Sequence, residues 1–216
     1  MTMDSLNSTT STATTIAAST TTTASRHHPV KHVHTPLSHT LSLIEHTSSS
    51  IRFLILDCPT ESTLSLYLEE FKNLNVSTVV RCCQPTYNSQ ILLQNGIDVI
   101  DLPFKDGGAP PPTIVHQWLQ VVESKEHKEP TTIAVHCVAG LGRAPVLVAI
   151  ALIELGMAPL DAIEYIRGKR RGAFNKPQIS YLDGYQRKPT TNTNSFRTSL
   201  GRMFGFGPKP IVTQQT

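Results

Sequence analysis

Charge is scarce in this chain. Asp, Glu, Lys and Arg make up 16% of its 216 residues, and the net balance is only +3. So mild a balance gives no case by itself for a basic face that grips a nucleic-acid backbone, and nucleic acid is not an expected partner. Long apolar runs are also missing. None reaches the ~20 residues that a spanning helix needs. No apolar stretch of secretory type lies near Met1, and the first 25 residues hold no Lys or Arg. The second absence argues against a mitochondrial presequence, while a Ser/Thr-rich plastid-type leader stays open. Only four cysteines occur: Cys58, Cys82, Cys83 and Cys137. That is too few for a disulfide scaffold and suits a reducing compartment. The expected location is cytoplasmic, with nuclear or weakly membrane-associated placement as alternatives.

Large apolar residues are thin in residues 1–50, where Ser, Thr and His dominate. Such a segment cannot bury a core, and a disordered leader is expected there. Residues 187–216, rich in Thr, Asn, Gly and Pro, read as a flexible basic tail. The folded domain is therefore expected at 51–186, an ordinary single-domain size. Within it, β-like runs at Arg52–Leu56, Val76–Val80, Ile97–Leu102 and Thr132–Val135 alternate with helix-like stretches. Leu64, Tyr67, Leu68 and Phe71 share one face at helical spacing. Alternation of this kind implies an α/β fold with a central, mostly parallel sheet of four to five strands flanked by helices.

The densest information lies in His136-Cys137-Val138-Ala139-Gly140-Leu141-Gly142-Arg143. A β-like run leads in and an apolar helix-like run leads out. A short loop between a strand and a helix N-terminus collects backbone N–H groups and the positive end of the helix dipole, which suits an oxyanion. A cysteine in that field ionises more readily than a free thiol, and the thiolate is the nucleophile. Arg143 supplies a planar fork for two phosphoryl oxygens. Gly140 and Gly142 let the loop turn its amides inward without a Cβ in the way. The candidate chemistry is phosphoryl transfer to Cys137, with residues 138–143 as the phosphate-binding loop.

A leaving oxygen needs a proton, and Asp106, on a Gly/Pro-rich loop after a β-like run, is the candidate general acid. Asp101 is the alternative. Cys83 ends the second β-like run and would approach Cys137 if those strands are neighbours, giving either a reversible disulfide or a buried, inert thiol. Cys82 should face the other way. Ala144 brings no hydroxyl to help sulfur leave a phosphocysteine, so hydrolysis should be slow. His136 either tunes the thiolate or is a core histidine. Arg167, Lys169, Arg170 and Arg171 read first as cations at a helix C-terminus, and second as an acidic-partner docking patch. His27, His28, His32 and His34 lack cysteine company, and no metal or cofactor is expected.

With these residues in view, the chain resembles the protein tyrosine phosphatase type IVA (phosphatase of regenerating liver) family, within the Cys-x5-Arg dual-specificity superfamily. The resemblance rests on His136–Ala149, on DAIEYIRGKRRGAFN at Asp161–Asn175, and on RFLI, VVRCCQPTY and PFKDGGAPP. It implies a phosphatase-like fold of dual-specificity size, Cys137 as nucleophile, Arg143 as phosphate binder and Asp106 as acid. It also implies a redox disulfide between Cys83 and Cys137. The partners it implies are phosphotyrosine proteins, cyclin M-type magnesium-transport mediators and phosphoinositides. The family's acid loop carries two acidic residues before one glycine, whereas this chain has Lys105-Asp106-Gly107-Gly108. No cysteine follows Cys137, so no prenyl anchor is expected. The competing readings are a binding module using the same pocket, and a sulfurtransferase-like cysteine loop, which the Gly-x-Gly-Arg ending disfavours.

Overall fold

The structure is a computed structural model that describes residues 37, 39–47, 49–126 and 130–187. Most of the expected leader, including His27, His28, His32 and His34, and residues 188–216 of the expected tail lie outside the described residues. Five strands form one sheet in the order β1-β2-β5-β3-β4. They are β1 (Ser42–Glu45), β2 (Ile51–Leu56), β3 (Val76–Arg81), β4 (Asp98–Asp101) and β5 (Thr131–His136). Only β1 runs antiparallel. Helices α1 (Leu64–Asn73), α2 (Gln90–Gln94) and α3 (Pro112–Glu126) join the parallel strands. Helices α4 (Arg143–Glu154), α5 (Pro159–Lys169) and α6 (Lys176–Asp183) follow β5.

Side-chain alternation along the strands divides the core in two. Phe53, Ile55, Val80, Ile133 and Val135 point to the side of α3, α4 and α5. Leu54, Leu56, Val79 and Ala134 point to the side of α1 and α2. A sheet covered on both faces needs apolar residues at successive positions, which is why β2 and β5 read as continuous apolar runs. Helix α4 is buried from Arg143 to Ile153. It is apolar all round because sheet and helices enclose it. Trp118 of α3 is fully buried and donates its indole N–H to the Leu147 carbonyl of α4 at 2.6 Å. Among the described residues, no helix is long and apolar enough to cross a membrane.

Strand β1 corrects the expected start of the fold at residue 51. Ser42–Glu45 falls within the stretch read as leader, yet it pairs with β2 along its whole length. Its apolar part, Leu41 to Ile44, is too short among Ser, Thr and His to announce a strand. The long-range partner supplies what local composition does not.

The register matters most for function. Leu56 and Arg81 both pair with His136, so β2, β5 and β3 end level. The residues just past them, Cys58, Cys137, Cys82 and Cys83, therefore share one edge of the sheet. Ligands of open parallel sheets bind at that edge.

Ile44 tests the revised boundary, because its side chain is fully buried. Ile44→Ala should lower unfolding free energy by about 2–4 kcal/mol, read from urea midpoints. A change within ~0.5 kcal/mol, as at a surface site, would place β1 outside the cooperative fold.

Candidate active site

Cys137 follows directly on β5, and Arg143 opens α4, so the loop between them spans the strand end and the helix N-terminus. Cys137 is 3% exposed at the base of a cavity of 330 Å³. Asp106, Gly142, Phe174, Asn175 and Gln178 line that cavity with it. The two glycines of the loop have different reasons to be there. Gly140 has φ +65, and a Cβ on it would collide with the Leu56 carbonyl and the Arg170 guanidinium. Gly142 has φ −119, outside the left-handed region; a Cβ there would press on the Gln178 amide at 3.2 Å. So only Gly140 serves the turn, while Gly142 leaves room for a neighbour.

Arg143 is buried, and its Nη1 donates to the carbonyls of Cys82 at 3.2 Å and Phe104 at 3.3 Å. These bonds fix the plane of the fork. Its Nε lies 3.0 Å from Asp106 Oδ1, an ion pair whose angle falls short of a hydrogen bond. The Asp106 side chain is 77% exposed, so this contact is a weak, solvent-screened one. The structure thus brings Cys137 and Asp106 to one cavity, with the buried Arg143 paired to Asp106 beside it. Asp101, the alternative acid, is held elsewhere: Arg81 Nη2 donates to its Oδ2 at 2.8 Å.

The unusual Gly107-Gly108 pair is pinned from α6. Asn175 Nδ2 donates to the Gly107 carbonyl at 2.9 Å, and Gln178 Nε2 to the Gly108 carbonyl at 3.3 Å. The same two side chains form the α6 capping box: the Gln178 amide N–H donates to Asn175 Oδ1 at 2.9 Å, and the Asn175 amide N–H to Gln178 Oε1 at 3.1 Å. One helix start thus satisfies its own end groups and positions the Asp106 loop.

Arg167 and Lys169 lie in the last turn of α5 and Arg170 caps it, as the first reading of this basic run has it. Arg170 is buried, which removes it from the alternative docking patch, and it has a role the sequence did not show: it grips the loop from behind. Its Nε donates to the Gly140 carbonyl at 2.7 Å and its Nη2 to the Ala139 carbonyl at 3.1 Å. Nη1 donates to the Thr40 carbonyl at 2.7 Å. Nothing local marks Arg170 apart from Arg167, Lys169 and Arg171, since all its partners lie at least 30 residues away. Phe174 adds a backbone outlier beside it. Its φ is +67, rare for a bulky residue, and its amide N–H donates to the Leu141 carbonyl at 2.8 Å.

His136 is fully enclosed. Burial pushes its imidazole down to about 4, so it is neutral near pH 7. Nδ1 lies 3.3 Å from the Cys137 carbonyl, and Nε2 lies 2.9 Å from the Tyr87 hydroxyl. Tyr87, which carries no motif of its own, is in turn covered by the Arg81 guanidinium at 5.1 Å from the ring centroid. Cys82 is wholly buried in the core, and burial pushes its thiol well up. Cys83 takes the other direction, as alternation along an extended chain requires. Its Sγ is 3.8 Å from Cys58 Sγ, a neighbour the sequence did not single out. All four thiols are free, so the expected Cys83–Cys137 disulfide is not formed here.

Comparison with known proteins follows the same lines. A family model described as a polymorphic toxin system DSP-PTPase phosphatase matches residues 56–157. Protein tyrosine phosphatase type IVA A of Dictyostelium discoideum is 52% identical over 157 residues, covering 72% of this chain and 93% of that protein. Human protein tyrosine phosphatase type IVA 3 is 51% identical over 146 residues, covering 67% of this chain and 84% of its own. A solved structure from Leishmania major, assigned to the protein tyrosine phosphatases, is 40% identical with a TM-score of 0.62. The match covers 68% of this chain and 99% of that one. Sequence, sheet topology and relatives agree: the chain belongs to the protein tyrosine phosphatase type IVA family and is a protein tyrosine phosphatase.

Proposed function

We propose that the chain hydrolyses phosphotyrosine in protein substrates through a phosphocysteine at Cys137. The observation that supports this reading is the meeting of Cys137 and Asp106 at one cavity by the α4 N-terminus, with Arg143 paired to Asp106. The helix end and the Arg143 fork favour a phosphoryl dianion there. The phosphate oxygens replace the Asp106 carboxylate at Arg143 Nε, which leaves Asp106 facing the leaving oxygen. The Cys137 sulfur then attacks phosphorus. The S–P bond forms as the bond to the tyrosyl oxygen breaks, and Asp106 in its acid form gives that oxygen a proton. In the second step a water attacks phosphorus and passes a proton to Asp106. The S–P bond breaks and inorganic phosphate leaves. Gln178, buried on the cavity wall, is well placed to hold that water. The loop must be rigid for its amides to stabilise charge without reorganising, and Arg170 is the positioning residue that keeps it so.

A second reading has its own support. Val138 and Leu141 are large, apolar and exposed at the loop itself, Val138 by 61%. Together with the missing hydroxyl at Ala144, they favour a module that docks a protein partner over a slow active site. A membrane magnesium-transport mediator of the cyclin M type is the partner that the family suggests.

Acid quenching after mixing with a phosphotyrosine peptide separates the two readings. A burst of phosphate on Cys137 is expected, absent in Cys137→Ser; no burst and no turnover would leave only the docking reading. Asp106→Ala should slow the burst by ~10²–10⁴-fold on the same peptide. Ala144→Ser should raise steady-state turnover by about 2–10-fold, the worth of one hydrogen bond, with the burst rate unchanged. An unchanged turnover would mean that sulfur departure does not limit the cycle. Arg170→Lys keeps the charge but loses the fork. It should lower kcat about tenfold or more and weaken vanadate inhibition in parallel, as loss of one to two buried hydrogen bonds predicts. A fall in thermal midpoint with kcat and vanadate affinity intact would make Arg170 purely structural.

A further inference from the structure

We propose that Cys58, Cys83 and His136 form a binding site for a soft divalent cation of the zinc type, beside the phosphate-binding loop and separate from it. The three residues come from three neighbouring strand ends: Cys58 after β2, His136 at the end of β5, and Cys83 after β3. Level register of these strands places their donor atoms within 4.8 Å of one another.

The spacing suits the metal. Two sulfurs each about 2.3 Å from a tetrahedral zinc lie about 3.8 Å apart. Cys58 Sγ and Cys83 Sγ are 3.8 Å apart. Two thiolates and one imidazole leave a fourth position for water, the pattern of an open zinc site. Sulfur and imidazole select zinc over magnesium or calcium, which prefer oxygen.

His136 carries the matching electronic form. A neutral imidazole that gives its Nδ1–H to the Cys137 carbonyl, 3.3 Å away, keeps a lone pair on Nε2. Metal-bound histidines are oriented by such a second hydrogen bond. The Tyr87 hydroxyl faces Nε2 at 2.9 Å, so a cation on Nε2 takes the place of that hydrogen bond and the buried Tyr87 ring must shift to admit it. Entry is from the Cys58 side, since Cys58 is partly exposed while Cys83 and His136 are buried. Cys58 Sγ also lies 3.0 Å from the hydroxyl of exposed Thr86, so its surroundings are polar. Binding displaces one proton from each thiol to solvent, with no change of oxidation state.

The consequence reaches the active site. The Cys58 amide N–H donates to the Val138 carbonyl at 2.9 Å, and His136 precedes Cys137 in the chain. A bound cation would tie the β2 and β3 ends to the loop. It would also hold the Cys83 sulfur, and so prevent any disulfide with Cys137.

Cobalt titration of the full reduced chain tests the site, because sulfur-to-cobalt charge-transfer bands arise only from thiolate ligands. The leader histidines therefore cannot mimic the signal. The wild type should show these bands, saturating at about one equivalent, and zinc should bleach them. Cys58→Asn and Cys83→Ser should each weaken binding at least ~100-fold, with circular dichroism checking the fold. Cys137→Ser should keep the bands. No bands in the wild type, full bands in Cys58→Asn, or their loss in Cys137→Ser would each overturn the proposal, the last by placing the metal on the nucleophile. Alkylation of the wild type gives an independent measure: zinc should slow labelling of Cys58 at least ~10-fold. Equal rates with and without zinc would sink the idea without any substitution.

Discussion

The hydrogen bonding of β5 on both edges is the constraint from which the rest of the site follows. Strand β5 is held by β2 over its whole length and by β3 from Thr132 to His136, with one register irregularity at Val76/Thr78. A strand so held cannot slip by one residue without turning every side chain to the wrong face. The position of Cys137 is thus set by the sheet and not by its own loop. Fixing the strand end also fixes where α4 must begin, because only a handful of residues separate the two.

What the sheet fixes in position, side chains fix in shape. Arg143 reaches forward to the Cys82 and Phe104 carbonyls, and Arg170 reaches up from behind to Gly140 and Ala139. Two arginines thereby use backbone carbonyls as anchors and leave the loop's own N–H groups for an anion. Burying two guanidinium groups is costly unless their donors are satisfied. The carbonyl bonds offset that cost, and the Asp106 carboxylate adds charge balance on the open side. Asn175 and Gln178 bring the acid loop to the same place. Parts from three distant stretches of chain meet around the cavity, as a site that needs preorganisation should.

Much of this was legible in the sequence. Strand-forming runs and the α4 apolar stretch fixed their own identities because burial on both faces leaves an unbroken apolar record. The Cys137–Arg143 loop was legible because its chemistry needs residue types at set spacing. Strand β1 was not legible, since an edge strand takes its stability from its neighbour. Arg170 was hidden in a basic run, and its role depends on Thr40 and Gly140, far away in the chain. Gly142 looked like a second turn glycine, but its reason for being small is Gln178. Tyr87 and Cys58 carried no pattern at all, because pairwise contacts between loops leave no periodic trace. Local physics was readable, while long-range complementarity was not.

Arg170 has one more consequence. The guanidinium that steadies Gly140 also holds the Thr40 carbonyl, at the threshold of the first strand. Loop and threshold are therefore coupled like two ends of a short rocker with a planar, stiff pivot. Whatever pulls or steadies the polypeptide just ahead of β1 acts on the phosphate cradle through two hydrogen bonds, with no need for the sheet to move.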